Sequence, residues 1–158
     1  MRRNSSKSWK MDIERIKSEI RAISQGLDRD DILAVGLFGS LARGDYHERS
    51  DIDVFVITES PLSLKEQHGL YHVYSKLIGQ FHRDVTVIVY DIKDLKSVPS
   101  WQTLNMVKDA QFVYDRANIE ELFKRILREA EAHGIVYDEK DKLFRLTKPG
   151  RVVFSLKD

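Results

Sequence analysis

Two short apolar runs joined by a brief, glycine-punctuated polar stretch constrain this chain more than any other feature. Ile32 to Phe38 is almost unbroken in its apolar character, and Asp51 to Ile57 ends in Val54-Phe-Val-Ile57. Both are too short for an ordinary helix and read as buried strands; the second is rich in residues that suit a pleated surface. Gly39-Ser40 ends the first run, and Gly44-Asp45 marks a turn soon after. So short a connection predicts an antiparallel pair, with the end of the first strand beside the start of the second.

The rest of the chain supplies partners for that pair. Ile13, Ile16, Ile20, Ile23 and Leu27 recur at steps of three and four, which predicts a helix. Gly26 lies near its end, where a left-handed cap suits glycine. Leu70, Val73, Leu77 and Phe81 predict a second amphipathic helix, and Val85 to Tyr90 a third strand. A helix between the second and third strands is what a parallel crossover requires. Ser100 is positioned to cap a helix through Trp101, Leu104 and Val107, and Phe112 to Tyr114 read as a short edge strand. Asn118, with Glu121 three residues on, has the pattern of an N-cap. The helix after it carries Leu122, Ile126, Leu127 and Ala130 as an apolar stripe and stops at Gly134. Ile135 to Phe154 read as two short strands about the polar segment 138–142.

The fold class expected is therefore α/β (α+β): a small mixed sheet flanked by helices, with a C-terminal helix and β-hairpin. Residues 1–10 carry four basic side chains and no acid and are read as a flexible basic arm. Residues 11–116 form the main domain and 117–158 the appendage.

With 158 residues, 42% hydrophobic and 32% charged, the composition is that of one globular domain. Lysine and arginine number 26 against 25 acids, a formal charge of +1. That balance gives no bulk electrostatic reason to bind nucleic acid or an anionic membrane. No apolar run approaches the roughly 18 residues of a membrane span. There is no cysteine, so disulfides and thiolate-bound metals are excluded, in keeping with an expected cytoplasmic location.

The chemistry concentrates between Gly36 and Asp53. Strand residues two apart point to one face, so Asp51 and Asp53 present two carboxylates side by side. Such a pair is costly beside a core unless a cation joins it, and its oxygens suit Mg²⁺. Gly39 lets backbone approach a ligand, Ser40 adds a hydroxyl for a phosphate oxygen, and Arg43, one turn on, adds charge. Parallel pairing of the second and third strands brings Asp84 to the same sheet edge. Asp91, the rival acid, lies at the far end, roughly 23 Å off at ~3.3 Å per residue. Arg49 and Arg83 flank the acids and are read as neutralising them.

The sequence Gly39-Ser40, ten intervening residues, then Asp51-Ile-Asp53 resembles the signature of the DNA polymerase beta nucleotidyltransferase superfamily. The wordings Gly-Ser-x-Ala-Arg-Gly and Ser-Asp-Ile-Asp look like those of its minimal nucleotidyltransferases. The resemblance covers about residues 11–116. It implies the nucleotidyltransferase fold, two Mg²⁺ ions and ATP or another nucleoside triphosphate as substrate. Asp51, Asp53 and Asp84 would be the catalytic, metal-binding acids; Gly39, Ser40 and Arg43 would hold the triphosphate. The reaction implied moves a nucleoside monophosphate, AMP in the first instance, to a hydroxyl and releases pyrophosphate. Minimal relatives often pair with a small helical protein, some as antitoxins that modify its tyrosine. A helical partner protein and a homo-oligomer are thus both expectations. The alternatives are a non-catalytic antitoxin-like binding module of the same fold, or a transferase acting on a small molecule or an RNA end. The tail Leu143-Phe-Arg-Leu-Thr-Lys-Pro-Gly150-Arg also resembles the wing of winged-helix proteins. That fold needs more helices than precede it here, so the expectation is a hairpin packed on the helix or on a partner.

Overall fold

The computed structural model describes residues 10–97, 100–147 and 154–156. The basic arm, apart from Lys10, lies outside the described residues, as does part of the wing-like tail. A four-stranded mixed sheet lies between two groups of helices, in the order β3-β2-β1-β4. Its strands are β1 (Ile32–Phe38), β2 (Ile52–Thr58), β3 (Val85–Asp91) and β4 (Gln111–Asp115). β1 is antiparallel to β2 and to β4, and β2 runs parallel to β3.

Alternation along the strands divides the core in two. On one face Val35, Leu37, Ile52, Val54 and Val56 pack with α1 (Ile13–Gln25), α2 (Gly39–Arg43), α3 (Leu64–Tyr74) and α4 (Lys76–Phe81). On the other, Phe55 and Ile57 meet α5 (Ile92–Lys96), α6 (Trp101–Asp109) and α7 (Ile119–Ala132). Phe55, Phe112 and Phe123 form a cluster of rings with centroids 5.0–5.4 Å apart. Gly36 is what admits it: a Cβ there would come within 2.5 Å of the Phe55 ring and 2.4 Å of the Gln111 carbonyl oxygen.

The helix read from Leu70 to Phe81 is two helices, broken at Ser75. α3 begins at Leu64, ahead of the Leu70 at which its apolar spacing starts, because Ser63 and Glu66 form a reciprocal capping box. Gly26 closes α1 in the right-handed region, at φ −83°, so its cap is not left-handed. Asn118 occupies the N-cap position of α7 but makes no side-chain cap bond; its backbone is left-handed, at φ 58°. Asp115 caps instead, accepting from the N–H groups of Ile119 (2.8 Å) and Glu120 (2.9 Å). The buried line of α7 is Ile119, Phe123, Ile126 and Ala130, with Leu122 and Leu127 partly buried beside it. A hairpin of β5 (Ile135–Asp138) and β6 (Leu143–Leu146) follows, and Ile135 and Phe144 continue the α7-side core. No helix among the described residues is long and apolar enough to cross a membrane.

The capping assignment has a direct test. Asp115→Ala should cost about 1 kcal/mol in urea denaturation, through the loss of two helix-start acceptors. Asn118→Gly, which suits a left-handed backbone, should be neutral or slightly stabilising.

Candidate active site

The β1–β2 register assembles the site. Phe38, the last residue of β1, pairs with Asp53, and the next residue is Gly39. Gly39 has φ +75°, and a Cβ on it would lie 2.2 Å from Asp53 Oδ2. The turn between β1 and α2 is therefore closed down onto the Asp53 carboxylate, and only glycine permits the approach. Asp53 shares its face with Phe55, so its carboxylate enters the sheet edge on the α6 side.

β3 completes the edge. Ile52 pairs with Val85 and Asp53 with Thr86, and the Ile52 N–H donates to the Asp84 carbonyl at 2.8 Å. Asp84 thus lies abreast of Asp51, one residue before β3 begins, while Thr86 lies abreast of Asp53. The Thr86 hydroxyl donates to the Asp53 carboxylate. Asp51 and Asp84 line an open depression together with Glu48, Arg49 and Arg83. Asp91 stands at the opposite end of β3, where it caps α5 by accepting from the Asp94 N–H at 2.9 Å.

Two arginines behave differently from what their positions suggest. Arg83 is buried, and its Nη1 donates to the carbonyls of His47 (2.7 Å) and Ser50 (3.0 Å). It thereby fixes the loop that delivers Asp51. Arg43 donates through Nη1 to Asp109 at 2.7 Å and through Nε to both Asp45 oxygens at 3.2 Å. Asp109 is only 7% exposed and also accepts from the Gly39 N–H, so one acid ties the glycine turn to Arg43. Ser40 is half-buried at the start of α2.

Thr86, Asp109 and Asp45 are the site neighbours that sequence reasoning missed. Thr86 shares the two-residue spacing of Asp84 and could have been found from it. Asp109 closes α6, 66 residues beyond Arg43, and carries no local signal.

Burial first, and then the charge of Asp51, push the Asp53 carboxyl well above the usual carboxylate range, to about 6; the Thr86 hydroxyl and Arg43 act in the opposite direction. Among the described residues, no three acidic or imidazole groups stand together as a ready-made cation cage. The donor set still fits Mg²⁺, which is ordinarily held by one or two carboxylates with substrate phosphates completing its shell.

Comparison with known proteins agrees with this geometry. The family profile described as "Nucleotidyltransferase domain" matches residues 13–124. The chain belongs to the nucleotidyltransferase domain family. The "Putative protein adenylyltransferase MJ0141" of Methanocaldococcus jannaschii is 32% identical over 80 residues, spanning 51% of this chain and 81% of that protein. Among solved structures, a toxin–antitoxin crystallised with AMP-PNP aligns over 73% of this chain and 87% of its own, at 20% identity and a TM-score of 0.55. The toxin–antitoxin MntA-HepT aligns over 75% and 87%, at 18% identity and a TM-score of 0.51. These two likenesses establish the nucleotidyltransferase fold, which in this chain carries a C-terminal helix and hairpin.

The raised Asp53 pKa makes stability depend on pH. A folded-state value of about 6 means that the native state holds this proton more tightly than the unfolded chain. Stability therefore falls as pH rises from about 4 to about 6, and the full cost persists above that. In metal-free buffer, Asp53→Asn should be more stable than the parent by roughly 1–3 kcal/mol at pH 7–8. The two melting curves should converge below about pH 4.

Proposed function

We propose that this nucleotidyltransferase moves AMP from ATP to a hydroxyl, and that the acceptor is a tyrosine of a small helical partner protein. The observation that carries the transfer chemistry is the pairing of Asp51 and Asp53 on one strand face, with Asp53 under the Gly39 turn and Asp84 abreast of Asp51. A module that only bound its partner would gain nothing from keeping a partly buried carboxylate beside a second, repelling one at that edge. The archaeal relative is named for adenylyl transfer to protein, and one solved structure of this fold is a toxin–antitoxin with AMP-PNP. Those properties, carried over to this chain, favour ATP as donor and a protein as acceptor.

In this reading Asp51, Asp53 and Asp84 would be the residues that hold Mg²⁺. Mg²⁺, when bound, offsets the phosphate charge and lowers the pKa of the acceptor hydroxyl. The chain's own residues do the positioning. Gly39 brings the backbone of the β1–α2 turn close against Asp53, Ser40 offers its hydroxyl to a phosphate oxygen, and Arg43 brings a cation to the tail. Thr86 holds Asp53 in its rotamer. The acceptor oxygen bonds to the α-phosphorus, the bond to the bridging oxygen breaks, and pyrophosphate leaves. Asp84 would take the hydroxyl proton.

Substitution separates these roles. Asp51→Asn and Asp53→Asn should each reduce pyrophosphate release from Mg²⁺–ATP by several orders of magnitude, with cell extract supplying the acceptor. Asp84→Asn should abolish transfer but largely spare ATP binding. Asp91→Asn, at the α5 cap, should leave transfer nearly unchanged. Full activity in the Asp51/Asp53 double variant would overturn the mechanism. The reverse ranking of Asp84 and Asp91 would overturn the assignment of the third acid.

A further inference from the structure

The hairpin reaches the candidate active site through its Lys142. Lys142 lies in the loop between β5 and β6, and its ammonium contacts the Asp45 carboxylate, 97 residues away in sequence. Asp45 also takes Arg43, Arg43 takes Asp109, and Asp109 accepts from the N–H of Gly39. Gly39 in turn rests on Asp53. An unbroken line of contacts therefore runs from the Asp53 carboxylate to the ammonium of Lys142.

The backbone at Lys142 is left-handed, with φ 54°. For a residue with a Cβ that conformation costs about 1–2 kcal/mol, and glycine or asparagine would avoid most of it. The Lys142 side chain is 48% exposed, and an exposed ion pair is worth about 0–1 kcal/mol. The contact with Asp45 therefore does not offset the strain of its own loop position. Folding alone would be better served by glycine; what glycine cannot supply is a cation at this place. Asp138 meanwhile organises the loop by accepting from the N–H groups of Lys140 (2.9 Å) and Asp141 (3.1 Å). The hairpin turn thus has its own closure without the Lys142 ammonium.

We propose that Lys142 is a second cation for the triphosphate tail, carried to the site by the β5–β6 hairpin and working beside Arg43. The proposal rests on the nucleotidyl-transfer reading given above. In the free protein Asp45 receives both cations, so an incoming triphosphate would compete with Asp45 for both donors and with Asp109 for Arg43. The hairpin, which lies beyond the residues 13–124 matched by the family, would then contribute to substrate binding as well as to the core.

The test is the binding of Mg²⁺–AMP-PNP to the full chain by calorimetry, with melting temperature measured without nucleotide. Lys142→Gly removes the ammonium and relieves the backbone, so it should melt no lower than the parent yet bind about tenfold more weakly. Lys142→Asn, the other residue suited to this backbone, should behave in the same way. Lys142→Arg should retain most of the affinity. Lys140→Ala, a loss of charge in the same loop, should bind as the parent does. Unchanged or tighter binding by Lys142→Gly would overturn the proposal, as would equal weakening by Lys140→Ala. A parent chain that binds no Mg²⁺–nucleotide would instead overturn the nucleotidyl-transfer reading itself, and would do so before any variant was compared.

Discussion

The pairing of Phe38 with Asp53 is the contact on which the rest of the site depends. It places the first residue after β1 directly over the second carboxylate of β2, and Gly39 then has no room for a side chain. Moving β2 by one residue would turn Asp51 and Asp53 to the opposite face and send Phe55 out of its ring cluster. The catalytic register and the packing register are thus one constraint. Phe55 against Phe112 and Phe123 secures the same alignment that brings Asp53 under the glycine turn.

Much of this arrangement was legible in the sequence because connection length limits strand direction. A short link between β1 and β2 and a helical crossover to β3 are enough to bring Gly39, Asp51, Asp53 and Asp84 to one edge and send Asp91 to the other. Features set by side chains distant in sequence were not legible. Asp109 reaches Gly39 and Arg43 from the end of α6, and nothing around it marks it as different from a surface acid. The same holds for Asp115, which displaces Asn118 as the cap of α7 although Asn118 has the expected spacing to Glu121. Spacing identifies a residue that could cap a helix; which one does so depends on where the preceding strand ends. The break between α3 and α4 was hidden because Leu70, Val73 and Leu77 keep their helical spacing across it.

Arg83 shows how burial changes the meaning of a charge. Beside Asp84 in sequence, it reads as a counter-ion for the acids. In the fold its guanidinium is buried and spends two of its bonds on the carbonyls of the loop before Asp51. A lysine would keep the charge, but on a compact, more strongly hydrated ammonium in place of the planar guanidinium. The electrostatic expectation gives way to a mechanical one, in which Arg83 sets where the loop ends and hence where Asp51 begins.

The distribution of charge then explains why a protein would keep so costly an edge. Asp53 is held with its carboxyl raised by burial and by Asp51, while Asp45 and Asp109 occupy Arg43. Every acid in this group either repels a neighbour or ties up a cation. Fewer carboxylates here would relieve repulsion at the Asp51/Asp53 pair, but would also remove the donors that suit Mg²⁺ and the partners that keep Arg43 in place. A metal–triphosphate complex carries both signs of charge, so on the proposed reading it would answer the two halves of this arrangement together: its cations at Asp51 and Asp53, its phosphates at Arg43. Neither a bare cation nor a bare anion does both. On the proposed reading, the electrostatic cost borne at this edge would also be a source of selectivity for the combined ligand.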